Sequence, residues 1–173
     1  MAADEQNVAT LFLQFSRHKL LEQYWPRLRA CVEPLTPEHL NWRPNEASNS
    51  IANLILHLNG NVRQWLVASF NGEPDQRNRP AEFAERGTLF AAPLLAQLGA
   101  TMDEAAAVLA RLTPADLTAR YEIQGYHVSG LDAVYQAVEH FGLHYGQILY
   151  IAKSLTAADL GFYRELNATG RAS

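Results

Sequence analysis

Four long segments of the chain repeat apolar residues every three or four positions, which is the spacing of one face of an α-helix. No segment has a convincing strand pattern, although the loop 119–128 could hold one brief extended piece. Helices that each carry one apolar face bury those faces most simply against one another in a bundle. We therefore predict an all-α four-helix bundle, with helices near residues 5–33, 50–70, 91–112 and 130–155.

Two features interrupt this pattern. Pro26 lies inside the first predicted helix, and its missing N–H should kink that helix or end it early. The connection over residues 71–90 is polar, rich in turn residues and unusually long for a structureless segment in a compact domain. We predict that it is a crossover that runs the length of the bundle between the second and third helices, where it could also cover a site.

Composition limits the class of protein. A chain of 173 residues with 48% hydrophobic residues suits a single globular domain over residues 1–173. The net charge of −4 and the lack of a basic stripe argue against a nucleic-acid partner. Cys31 is the only cysteine, which excludes an intrachain disulfide and fits a reducing compartment. Without a signal-peptide pattern or an apolar run long enough to span a bilayer, we expect a cytoplasmic protein that is not bound to a membrane.

The second predicted helix carries a polar flank beside its apolar face. Its members lie at positions i, i+4, i+8 and i+11, and they are Asn53, His57, Asn61 and Gln64. A solvent-exposed face normally carries Lys and Glu, whereas this flank is uncharged. The flank is therefore either a half-exposed row of amides or the polar lining of an internal cavity.

The fourth predicted helix contains His140 and His144, which lie one turn apart on one face and on its inward side. Two buried imidazoles need hydrogen-bond partners for four ring nitrogens, and each resists becoming charged. A single core histidine usually satisfies these needs with protein groups, but a pair at this spacing can also hold one metal ion. The third ligand must then come from another helix, and His57 is our candidate. We expect His18, His39 and His127, which have no partner at ligand spacing, to be surface or loop residues.

Other metal and catalytic motifs are absent from the sequence. A ferritin-like di-iron site needs Glu-x-x-His on two helices, and no such motif occurs here. The residue after His140 is Phe141 and not the glutamate of a zincin motif. The chain also lacks a glycine-rich phosphate loop, a nucleophile elbow and a Cys-x-x-Cys pair.

Several stretches resemble a branch of the DinB-like superfamily of metal-dependent four-helix bundles over nearly the whole chain. These stretches are Arg43–Ile51, Glu73–Asp75, Ile123–Tyr126, Glu139–Phe141, and His57 together with His140-x-x-x-His144 and Gly146–Gln147. The resemblance implies that His57, His140 and His144 bind a divalent metal, with zinc or nickel as first candidates and iron or manganese as alternatives. It also implies a relation to enzymes that transfer low-molecular-weight thiols such as bacillithiol or mycothiol, or use them in isomerisation.

Three neutral histidines leave open coordination positions for water or substrate, and the ion would lower the pKa of bound water or thiol. We expect Asn53, Asn61 and Gln147 to support the ligands or line the pocket. No inward carboxylate suggests itself as a general base, and no catalytic residue can be assigned. Trp42, Arg43 and Tyr126 either form a pocket rim or pack loops on the bundle end.

Two functions follow from this pattern. One is a metal-dependent enzyme of thiol transferase or hydrolase type that acts on a small molecule, with a low-molecular-weight thiol as a candidate cosubstrate. The alternative is a non-catalytic metal-binding stress-response protein. An open pocket beside the metal favours the enzyme, and a fully enclosed metal favours the alternative. The sequence leaves a homodimer open.

Overall fold

The computed structural model describes residues 2–164, with side chains from Val8 onward, and its four longest helices form a bundle. The helices are α1 (Ala2–Arg17, π-helical His18–Tyr24 and Trp25–Val32), α2 (Pro37–Asn41), α3 (Ile51–Val62, π-helical Arg63–Ala68 and Ser69–Asn71), α4 (Arg79–Ala84), α5 (Ala91–Arg111), α6 (Pro114–Thr118) and α7 (Gly130–Thr156). Two short strands, β1 (Arg120–Ile123) and β2 (Tyr126–Ser129), precede α7. The predicted all-α fold is confirmed, because α1, α3, α5 and α7 match the four predicted helices closely.

The four long helices pack in a ring. Helix α1 contacts α5 and α7, and α3 contacts the same two helices from the opposite side. Fully buried side chains from each helix meet in one core, among them Leu28, Ile55, Leu98 and Phe141. Burial of these apolar faces is the main force that holds α3 and α7, the two histidine-bearing helices, side by side.

Each long helix is apolar on one side and polar on the other, as expected for helices that pack in water. None of the helices within residues 2–164 has both the length and the apolar character needed to cross a bilayer.

The first helix continues past Pro26 and does not end early. Residues His18–Tyr24, just before the proline, adopt π-helical hydrogen bonding, and Tyr24 and Trp25 keep right-handed helical backbone angles. A proline removes one backbone donor, and a π-helical turn changes which carbonyls need a partner. The helix therefore accommodates Pro26 and runs on to Val32.

The crossover over residues 72–90 is not structureless, because it contains α4. Asn78 caps this helix by accepting a hydrogen bond from the backbone N–H of Ala81 through its side chain. Helix α4 packs against α3, so the crossover lies on the polar flank of that helix. The crossover thus brings its side chains to the flank that contains His57.

The loop before α7 forms an antiparallel β-hairpin, which the sequence did not predict as a paired element. Ile123 pairs with Tyr126, and the two residues between them, Gln124 and Gly125, both have positive φ angles of 55° and 78°. Such a turn matches the right-handed twist of a two-stranded ribbon. The strands are four residues each, too short to give a clear alternating pattern, and their Gln-Gly turn differs from the common Asn-Gly signal.

Candidate metal centre

Three histidines from helices α3 and α7 meet inside the bundle. His57 projects from α3, and His140 and His144 project from successive turns of α7. One ring nitrogen of each lies within 4.8 Å of one ring nitrogen of both others. Metal–nitrogen bonds of about 2.0–2.1 Å would hold such nitrogens roughly 3–4 Å apart, so this spread is close to what one ion needs. The structure therefore brings together the three residues that the sequence singled out.

A carboxylate from the crossover orients His57. The Nδ1–H of His57, whose side chain is only 3% exposed, donates to Glu82 Oε2 at 2.9 Å, which leaves its Nε2 to face the other histidines. Arg77 donates to both oxygens of Glu82, from Nε at 2.7 Å and from Nη2 at 2.8 Å. Burial would raise the pKa of Glu82, but the hydrogen bonds and charges of Arg77 and His57 lower it overall. Glu82 is therefore a carboxylate that fixes the tautomer and direction of His57.

A glycine on α3 makes room for this ion pair. A Cβ atom at Gly60, one turn after His57, would lie 2.0 Å from Glu82 Oε1 and 2.8 Å from Arg77 Nε. Any side chain at this position would push the Arg77–Glu82 pair away from the helix. The present position of these two side chains against α3 therefore requires a glycine at residue 60.

Helix α7 orients His144 with its own next turn. The Nδ1–H of His144 donates to Gln147 Oε1 at 2.7 Å, on the exposed side of the helix. This contact leaves Nε2 of His144 free to serve as a ligand, as the Glu82 contact does for His57. Gln147, which the sequence proposed as a support for the site, thus contacts one of the three histidines directly.

The two histidines of α7 have lowered pKa values, which favours their neutral form. Burial, followed by the charges of His144, His57, Arg77 and Arg79, lowers the pKa of His140 to about 4. Burial also lowers the pKa of His144, although its hydrogen bond to Gln147 opposes this effect. Nε2 of His57 and Nε2 of His140 are 2.8 Å apart. Because His57 carries its proton on Nδ1, the proton between them is on Nε2 of His140, and it would have to move to Nδ1 for His140 to bind a metal through Nε2.

Two amides of the predicted polar flank tie other segments to α3. Asn53 is buried and donates through its side-chain amide to the backbone carbonyls of Glu82 and Glu85, which anchors the crossover. Gln64 accepts at Oε1 from Arg77 and from Gln124 at the hairpin tip. Asn53 therefore supports the site through the backbone that carries Glu82, without contact to a histidine in the described residues.

A cleft of about 380 Å³ opens beside the histidines. It is lined by His57 and His140 together with Asn61, Arg77, Arg79, Gln124, Tyr126 and Gln136. Asn61 is 3% exposed, and its Oδ1 has no hydrogen-bond partner among the described residues. An acceptor that is buried without a partner is costly, so a donor supplied by a bound molecule would stabilise it.

The predicted rim is present only in part. Tyr126 lines the cleft, as the sequence suggested. Arg43 instead donates to Asn53 Oδ1 at 3.2 Å, and Trp42 is not among the residues that line this cleft. Arg43 thus lies beside the first turn of α3, and neither residue of the first loop lines the cleft.

Sequence reasoning missed Glu82 and Arg77, although Glu82 is an inward carboxylate that holds a ligand and does not line the cleft. Glu82 is 10% exposed and Arg77 only 4%, although both belong to a segment whose composition is that of a surface loop. The signal that could have found them is the uncharged polar flank of α3. His57 and Gln64 are buried polar groups, and their partners had to come from the segment that crosses them.

The donor set fits a borderline divalent metal. Imidazole nitrogens suit zinc, copper, iron and nickel, whereas calcium and magnesium prefer oxygen ligands. Three ligands from two rigid helices, two of them oriented by outer hydrogen bonds, resemble catalytic sites that keep a coordination position open. The histidines are thus positioned to hold a divalent metal ion.

The chain matches the family model of the DinB superfamily over residues 20–148. This match covers the three histidines, the crossover and the hairpin, and it takes in most of the chain. The protein therefore belongs to the DinB superfamily. No curated protein matches the chain.

Proposed function

We propose that this protein is a metal-dependent enzyme that uses His57, His140 and His144 to hold a divalent cation and acts on a small molecule beside it. The observation that carries the proposal is the cleft of about 380 Å³ that reaches two of the three histidines. A site meant only to store or sense a metal has no need of such a cleft. Its lining of amides and a phenol also offers groups that bind and orient a substrate.

The neutral histidines would leave the full positive charge on a bound ion. When bound, such an ion lowers the pKa of a thiol or of water and so makes either of them nucleophilic near neutral pH. Zinc and nickel are the first candidates, with iron and manganese as alternatives. This chemistry suits both transfer of a low-molecular-weight thiol to an electrophile and hydrolysis.

The remaining residues of the site position these groups. Glu82 and Arg77 hold His57, and Gln147 holds His144, each through the ring nitrogen that faces away from the cluster. Asn61 lines the cleft, and its buried Oδ1 has no hydrogen-bond partner among the described residues. Among the described residues, no Asp or Glu lines the cleft, so a nucleophile has no carboxylate base there. The nucleophile would therefore have to lose its proton when it binds the metal, without help from a carboxylate. A thiol is more acidic than water and loses its proton more readily, so this arrangement favours a thiol.

A two-part assay tests the proposal. Protein purified without a His-tag and loaded with zinc or nickel is offered a panel of small thiols with model electrophiles, and separately esters and amides without a thiol. We expect turnover in the first panel that needs both metal and thiol and is lost in a His57→Ala variant. Turnover of esters or amides alone would change the reaction to hydrolysis. A failure to bind any divalent metal would overturn the proposal, and binding without turnover in either panel would favour a non-catalytic metal-binding protein.

A further inference from the structure

Arg79 is a second arginine of the crossover, and it lies at the cleft. Its guanidinium lies 4.9 Å from the ring centroid of Phe83, one turn later in α4. The ring of Phe83 in turn packs on the ring of His57 at 4.6 Å between centroids. This stack links the guanidinium of Arg79 to the histidine cluster, and Arg79 lines the same cleft as His57 and His140.

The two arginines of the crossover differ in their partners. Arg77 is buried and donates to both carboxylate oxygens of Glu82 and to Gln64, so its charge is balanced inside the protein. Arg79 is exposed, and no carboxylate among the side chains described for residues 8–164 lies within ion-pair distance of it. Because the described lining of the cleft contains no Asp or Glu, the charge of Arg79 is available to a molecule that enters.

The cleft also holds an acceptor that lacks a donor. The Oδ1 of Asn61 is buried and has no partner among the described residues, while the lining also offers Arg77 and the neutral groups of Gln124, Gln136 and Tyr126. A ligand that pairs with Arg79 must present a negative group at the mouth of the cleft.

We propose that the substrate or cosubstrate of this cleft is a small molecule that carries a carboxylate, and that Arg79 binds that carboxylate. This inference rests on the proposed function, since the other end of the molecule would lie at the histidines. One guanidinium balances one negative charge and matches the two oxygens of a carboxylate, whereas a phosphate monoester would leave a second charge unpaired. Arg79 is therefore a specificity-determining residue that selects against neutral and cationic analogues.

Three thiols with the same reactive group test the charge preference. Zinc-loaded protein is titrated by calorimetry with 3-mercaptopropionate, 2-mercaptoethanol and cysteamine, which carry an anionic, a neutral and a cationic tail. The measured quantity is the ratio of the dissociation constants of the neutral and anionic thiols, compared between the natural protein and Arg79→Gln. The same two thiols are used with both proteins, so the difference in acidity between the thiols affects both ratios equally and cancels when the ratios are compared. We expect the ratio to fall about tenfold in Arg79→Gln, as for a charge-assisted hydrogen bond of moderate strength.

Two further variants make the result specific. Arg86→Gln removes the same charge from the same segment, but Arg86 donates only to the backbone carbonyls of Phe83 and Glu85 in the described structure, so the ratio should not change. Arg79→Lys keeps the charge without the planar fork and should restore part of the preference. An unchanged ratio in Arg79→Gln, or an equal fall in Arg86→Gln, would overturn the inference.

A metal-free measurement separates this inference from the proposed function. Propionate is added to the metal-free protein, and the NMR signal of the Arg79 side-chain Nε–H is followed. A saturable shift of that signal, with no shift on addition of 1-propanol, supports a carboxylate site whether or not the protein takes up metal. No shift with propionate would overturn it, even where metal content shows that the histidines bind their ion.

Discussion

The two sides of the metal centre orient their histidines in different ways. On the α3 side, His57 is held by Glu82, which comes from a different segment and is itself held by Arg77. On the α7 side, His144 is held by Gln147, three residues along the same helix and open to solvent. The first arrangement depends on the tertiary fold, and the second depends only on the helix.

This difference has an energetic consequence. The His57–Glu82–Arg77 group is buried, where hydrogen bonds between charged groups are strong and the loss of one partner leaves another unpaired. Gln147 is exposed, so water can replace its contact to His144 at little cost. Metal affinity should therefore depend on the conformation of the crossover far more than on the outer side of α7.

The largest effect is expected when two ligands are removed. A His140→Ala, His144→Ala double variant should lose stoichiometric metal uptake, because one imidazole cannot hold the ion alone. A metal that binds only the folded state stabilises it by mass action, so a chelator should lower the melting temperature of the metal-loaded natural protein. The measurement is the melting temperature with and without chelator, together with metal content by elemental analysis.

The matched control replaces His18 and His39, which lie outside the cluster. A His18→Ala, His39→Ala variant should keep the full metal content and the full response to chelator. Equal chelator effects in the natural protein and the His140→Ala, His144→Ala variant would show that other residues bind the metal.

The second largest effect is expected for Glu82→Gln. Glutamine keeps the size of the side chain but removes the charge that attracts Arg77 and fixes the Nδ1–H of His57. Loss of such an outer partner typically weakens metal binding about 10- to 100-fold. Metal affinity can be measured by competition with a chromogenic chelator, and Glu46→Gln, an exposed loop change of the same charge, should have no effect. Equal affinities of Glu82→Gln and the natural protein would mean that the crossover does not control His57.

The sequence was sufficient to predict the fold because the bundle is determined by repeated local patterns. The stripes of α1, α3, α5 and α7 each extend over several turns, so single interruptions such as Pro26 do not hide them. The β-hairpin was missed because it depends on four cross-strand pairs and a two-residue turn with positive φ angles. Such short pairs gain their stability from the body of the protein on which they pack.

The candidate site was likewise predictable only where it depends on helical periodicity. His140 and His144 have a helical spacing, and the polar flank of α3 identifies His57, so the cluster follows from periodicity and the family resemblance. The polar flank of α3 indicates that buried partners exist, but which residues supply them depends on the path of the crossover over α3, and that path places Glu82 and Arg77 there. Nothing in a polar, turn-rich stretch distinguishes a carboxylate that points inward from one in water.

A pair of glycines sharpens the comparison of the two helices without changing any polar group. Gly60→Ala puts a Cβ where Glu82 and Arg77 now lie, so we expect a loss of metal affinity of about tenfold, the lower end of the effect of losing an outer partner. Gly146→Ala, on α7, meets nothing within 4 Å and should leave metal affinity unchanged. It should also raise stability by about 0.5–1 kcal/mol, since alanine favours the helix. Equal metal affinities of the two variants would show that Glu82 and Arg77 can move away from the added methyl group and still hold His57.

The smallest effect is expected for Gln147→Ala. Water can take over the hydrogen bond from the Nδ1–H of His144, so metal affinity should fall only a few-fold, well below the loss in Glu82→Gln. The double variant Glu82→Gln, Gln147→Ala completes the test, because the two contacts hold different histidines on different helices. If each orients its own ligand independently, the two losses in binding free energy should add to within about 0.5 kcal/mol. A loss for Gln147→Ala that equals that of Glu82→Gln would contradict the distinction between a buried, fold-dependent side and an exposed, helix-dependent side. A strongly non-additive double variant would instead show that the two histidines are positioned as one unit through the ion they share.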